Sequence, residues 1–110
     1  MPQIIKTFLF CLAVITAASL VGCDTSADRE LRRAERALDA ASAVSADRYA
    51  TEDYQAAEQL LIEADDMSKD NRIQEARALA IKAKLRAEDA ERKAKEHLLI
   101  LEQEEDRLMH

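Results

Sequence analysis

Beyond residue 22 this 110-residue chain contains neither glycine nor proline, since Gly22 and Pro2 are the only ones it has. Tight hairpins and most short loops need one or the other, so their absence excludes a turn-rich β fold for the rest of the sequence. Tryptophan is missing, and past Phe10 the aromatics are Tyr49 and Tyr54 alone. Two rings are too few to stack nucleic-acid bases or sugars. Histidine occurs twice, as His97 and His110, and neither has a nucleophile or a metal-ligand partner close in sequence. General acid–base chemistry near neutral pH therefore has little to work with, and an enzyme, a catalytic residue, a cofactor or a metal site is not expected.

What is present divides the chain in two. Residues 1–22, MPQIIKTFLFCLAVITAASLVG, carry one charge at Lys6, an apolar core from Phe8 to Ala18, and then small residues. That order is the signature of a secretory signal peptide, and the core is shorter than the roughly 20 residues of a membrane span. Leu20, Val21, Gly22 and Cys23 come next. This tetrad resembles the signal-peptidase motif, or lipobox, of bacterial lipoproteins. The resemblance implies cleavage after Gly22 and attachment of acyl chains such as palmitate to Cys23. It also implies a membrane contact made through that lipid, on the periplasmic side of the bacterial cell envelope. Two or three acyl chains hold a soluble domain where one would not. Asp24 resembles an inner-membrane retention signal of enteric-type sorting, so the inner membrane is favoured and the outer membrane stays open.

The expected organisation is a cleaved signal at 1–22, a lipidated terminus and short tether at 23–26, and an alanine-rich domain at 27–110. Cys11 leaves with the signal and Cys23 is capped by lipid, so neither a disulfide nor a free thiol is expected. The covalent lipid takes the place of a cofactor. Loss of Lys6 moves the formal charge from −6 to −7, a poor match to nucleic acid and one that anionic headgroups repel.

From residue 26 the composition is that of helix, rich in Ala, Glu, Leu, Lys and Arg. Breaks are expected at SADRYAT, 45–51, and SKDN, 68–71. The fold class is all-α, with three helices at about 26–45, 52–68 and 72–108, arranged as an antiparallel hairpin or an up-down-up bundle with a long C-terminal helix. Ala27, Leu31, Ala34, Leu38 and Ala41 recur at helical spacing, as do Tyr54, Ala57, Leu61 and Ala64. The third helix continues the pattern as Ala76, Ala80, Ala83, Ala87, Ala90, Ala94, His97 and Leu101. Such coiled-coil-like seams of alanine bring axes to the near end of the usual 8–10 Å range, so Ala83→Leu is expected to destabilise. Residues 51–70 hold seven acids and one base, whereas 72–97 hold eight bases and five acids, which favours pairing the second helix with the third. Glu88 with Arg92, Asp89 with Lys93 and Glu91 with Lys95 are spaced for pairs along the third helix.

Tyr54, Ala57, Leu61, Ala64, Ile73, Ala76, Ala80, Ala83 and Ala87 resemble the core of a tetratricopeptide-type helix pair. With the lipobox and the preceding helix, about residues 27–98 resemble a family of short, alanine-rich bacterial lipoproteins known as a domain of unknown function. The resemblance implies a periplasmic, non-catalytic helical domain. The Trp, Gly and Pro positions of tetratricopeptide repeats are missing and one pair is fewer than a solenoid needs, so a peptide groove of that type is not expected.

The first helix either folds back beside the others, leaving 95–110 projecting, or runs on in line with the second to cover the far half of the third. Ile81 and Leu85, opposite the alanine seam, favour the bundle because they need a second neighbour. Leu98, Leu99, Ile100 and Leu101 point all round the last helix. They are either a docking or self-association surface or a patch that the first helix covers. The function expected is a lipid-anchored structural or adaptor module acting on an envelope protein partner or on itself. The alternatives are a small-ligand- or metal-binding lipoprotein, and a spacer in non-covalent contact with peptidoglycan. The covalent tether of the murein lipoprotein requires a C-terminal Lys, where this sequence has Met109 and His110.

Overall fold

The computed structural model describes residues 26–110. All of its regular structure is helical: α1 (Asp28–Ala43), α2 (Ala46–Tyr49), α3 (Thr51–Lys69) and α4 (Ile73–Met109). Four helices stand where three were expected, because SADRYAT is not an open loop but holds the one-turn α2. Three of its carbonyls are used: the Ala50 amide donates to Ala46 O at 2.8 Å, and the Thr51 hydroxyl donates to Asp47 O at 2.9 Å and to Arg48 O at 3.3 Å. A stretch without glycine thus turns by stacking short hydrogen-bonded segments.

Both reversals cost one residue in the left-handed region, Ser45 at φ 59° and Asn71 at φ 62°. Asn71 tolerates it best, being among the few side chains that visit this region. Around it the Asn71 amide donates to Ser68 O and the Arg72 amide to Met67 O. These are the two bonds of a Schellman ending, here made without glycine.

The three long helices share one interior. Ala27 and Leu31 of α1 cluster with Ala64 of α3 and with Ala76 and Ala80 of α4. Leu38, Ala57 and Ala87 meet midway, and Ala41 packs with Ala90 and Ala94 beside α2. Along this axis α1 and α4 run in the same direction and α3 runs against both. Among the described residues fifteen apolar ones are buried, of which thirteen are alanine and the other two are Leu31 and Leu38. The core is therefore a close approach of backbones instead of an interlocking of large side chains.

One expectation is corrected here. Ile81 and Leu85 are not covered by a second helix and stay about half exposed. Both α1 and α3 pack on the same alanine seam of α4, because alanine is small enough to leave room for two helices side by side on one face.

Candidate functional site

Leu20, Val21, Gly22, Cys23 and Asp24 lie outside the described residues. Leu98–Leu101 lie within them, on an extension of α4 that no other helix accompanies. Ala94 is the last buried residue of α4, and every residue from Leu99 to His110 is exposed. That leaves roughly 22 Å of bare helix at 1.5 Å per residue. Leu98 is half-buried, whereas Leu99 and Ile100 are 57% and 53% exposed. The idea that the first helix covers this patch is overturned. Leu31 lies against Ala76 and Ala80, at the other end of α4, and the C-terminal part of α1 reaches only Ala90 and Ala94.

The boundary between covered and bare helix is marked by α2. Its Tyr49 ring tilts against His97, with centroids 4.7 Å apart and planes at 33°. The Arg48 guanidinium lies 5.9 Å from the Tyr49 ring centre. His97 thus ends the alanine seam as an exposed ring stacked on Tyr49. Beyond it the seam positions pass from alanine to Leu101 and Leu108, both exposed. Small residues occupy the seam where helices of this chain sit on it, and large ones where none does. On the C-terminal side of the patch stand Glu102, Glu104, Glu105 and Asp106, with Arg107 the one base there.

One charged cluster was not foreseen. Asp53, in the first turn of α3, is 6% exposed, and it accepts a hydrogen bond from Arg86 Nη1 at 2.8 Å and another from Lys93 Nζ. The Lys93 hydrogen bond and charge, with Arg86 and Arg92 close by, hold the Asp53 carboxyl below its ordinary value against the opposing effect of burial. Lys93 consequently does not pair with Asp89 as its spacing suggested; Asp89 and Glu96 flank Arg92 at 3.5 and 3.3 Å, while Lys95 pairs with Glu91 at 2.7 Å. The signal was readable: Ala50, Asp53 and Ala57 share one helical register, so an acid stood at a seam position facing a helix rich in bases. Both donors of Asp53 are half exposed and satisfied, which makes the cluster a clamp between α3 and α4.

Arg29, Arg32, Arg33 and Arg36 form a second unforeseen feature. With Ser26 and Asp28 they line an open cleft of about 470 Å³ on the side of α1 opposite its packed seam. Net charge concealed this basic face, because a sum over the chain sets its four arginines against acids that, Asp28 apart, do not line it. Among the described residues no group of three or more His, Cys, Asp or Glu is placed to hold a metal ion. No helix among them is long and apolar enough to cross a membrane.

A family model described as Domain of unknown function (DUF4398) matches residues 26–105. No curated protein and no solved structure matches the chain.

Proposed function

The chain belongs to the DUF4398 family, whose description carries no activity, and from its own residues we propose that it is a lipid-anchored, non-catalytic docking module of the bacterial cell envelope. In this reading residues 1–22 are removed, acyl chains on Cys23 hold the protein to a membrane, and the helical domain faces the periplasm. Asp24 favours the inner membrane. The apolar patch on the α4 extension is the working surface.

The single observation that carries the docking role is the exposure of Leu99 and Ile100 on a helix that continues past its own bundle. An apolar run in which Leu99, Ile100 and Leu101 are left exposed is costly in water, at about 25 cal/mol per Å² of apolar surface left wet. Exposed apolar patches with a polar rim mark interaction sites, and the acids from Glu102 to Asp106 supply such a rim. The alanine interior supports a non-catalytic reading, because the side chains buried between α3 and α4, Asp53 apart, are methyl groups that supply no reacting atom. Asp53, which accepts hydrogen bonds from Arg86 and Lys93 of α4, is occupied in holding the two helices together.

A photoreactive residue in place of Leu99, irradiated in cells, tests the reading. Covalent adducts of defined mass are expected from Leu99 and not from the same probe at Gln59, an exposed position on α3. Absence of adducts at Leu99 would remove the docking role from this surface.

A further inference from the structure

The α4 face opposite the alanine seam carries large apolar side chains in two places. Ile81 and Leu85 are 51% and 54% exposed near its first half, and Leu99 lies on the extension. At 3.6 residues per turn, positions 81, 85, 92 and 99 fall on one stripe within about 40° of one another. The two places differ in charge. Ile81 and Leu85 edge a groove of about 130 Å³ between α1 and α4, whose lining includes Glu30, Arg33 and Lys84. Glu30 Oε2 lies 3.9 Å from Arg77 Nε and Glu88 Oε1 lies 3.6 Å from Lys84 Nζ, so both acids near the rim are matched by a base of their own chain and Arg33, next to the arginine face of α1, leaves the rim basic. Leu99 is flanked instead by Glu96, Glu102 and Asp106, and the one base beside it, Lys95, is paired with Glu91 at 2.7 Å.

We propose that these two places meet between two copies of this chain, in a two-fold dimer whose α4 helices run antiparallel across one another. The proposal rests on the docking role of the extension and names its occupant. Leu85 and Leu99 are fourteen residues apart, about 21 Å along a straight helix, so one copy cannot bring them together. Two antiparallel copies bring them together twice, as a two-fold contact requires, with the axis passing near Arg92. The acidic extension of each copy then lies against the Arg33 and Lys84 rim of the other. A parallel pairing would set acids against acids, a juxtaposition that costs affinity. At the axis Arg92 faces its twin, and each guanidinium is already flanked by Asp89 and Glu96 of its own chain.

Thiol crosslinking of the full chain in its membrane tests this, with the unsubstituted chain oxidised alongside as background. Arg92→Cys is expected to crosslink to itself. Leu85→Cys and Leu99→Cys are each expected to stay uncrosslinked alone and to join each other when co-expressed with different tags. Arg33→Glu with Lys84→Glu should reduce that 85–99 product at least severalfold, and Glu102→Lys with Asp106→Lys on the partner copy should restore it. Since cysteine could itself weaken the contact, the mass of the unsubstituted chain in detergent is the second readout, expected at twice the monomer. Self-crosslinking of Leu99→Cys, or a monomer mass at tens of micromolar, overturns the dimer. Capture of a different protein by the Leu99 probe, with no 85–99 product, overturns self-pairing and leaves docking intact; no adduct at Leu99 removes both.

Discussion

Ala87→Leu is expected to lower the melting temperature of the helical domain by 10 °C or more. Ala87 is fully buried at mid-bundle, with Leu38 of α1 and Ala57 of α3 packed on it. Its methyl group sets the distance at which both helices lie on α4. Three extra carbons have no cavity to enter, since the surrounding seam is alanine, so either two helix axes move apart or the new side chain leaves its rotamer. Overpacking of this kind costs about 1–3 kcal/mol in ordinary cores. The upper end applies where two interfaces are wedged at once, and for a domain of this size about 2–3 kcal/mol corresponds to about 10–20 °C. Ala83→Leu, one step along the same seam, works in the same direction. Thermal unfolding followed by circular dichroism reads the shift, and an unchanged or raised melting temperature would show that the interior is not close-packed.

Asp53→Ala is expected to cost about 1.5–3 kcal/mol at pH 7, the range for hydrogen bonds to a charged group. The loss comes from the clamp itself, since Arg86 and Lys93 are half exposed and regain water when the carboxylate is removed. Its pH dependence separates this from a packing effect. The folded-state pKa of Asp53 is lowered from 3.8, so its contribution is fully present above the unfolded value and is lost as pH falls through the folded one. Urea midpoints of the two proteins are therefore expected to differ at pH 7 and pH 5 and to converge below pH 3.8. A difference that persists undiminished in acid would assign the effect to shape and not to charge.

Much of the fold was legible because one rule generates it. The seam of α1 was readable residue by residue, since Ala27, Leu31, Ala34, Leu38 and Ala41 are all buried. The α4 seam was equally clear up to Ala94. What the seams did not reveal is how many helices share one of them. Alanine leaves room for two neighbours on a single face, so Ile81 and Leu85 on the opposite face were misread as needing cover. The one-turn α2 was missed because a four-residue helix is fixed by carbonyls on either side of it and has no periodicity of its own. Asp53 was passed over as one of seven acids in its segment, although its register with Ala50 and Ala57 marked it. The arginine face of α1 was lost in a sum over the whole chain, where opposite charges on different sides of a helix cancel on paper and not in space.

The apolar patch at Leu98–Leu101 was visible in the sequence, but its availability was not, because only the placement of α1 decides between cover and exposure. Placing α1 beside the first two-thirds of α4 separates two regions of that helix. One is a small-residue interior satisfied within the chain; the other is a large-residue, acid-rimmed extension that the chain leaves for something else.

Whether that extension is displayed at a membrane surface depends on the anchor proposed at Cys23, and mass spectrometry of the protein isolated from bacterial membranes tests it most directly. The account expects the first residue of the mature chain to be Cys23, carrying the added mass of two or three acyl chains, with residues 1–22 removed. Cys23→Ser should keep those residues and take up no acyl label. An unmodified Cys23 in a chain that still begins at Met1 would contradict the anchor and the location that depends on it.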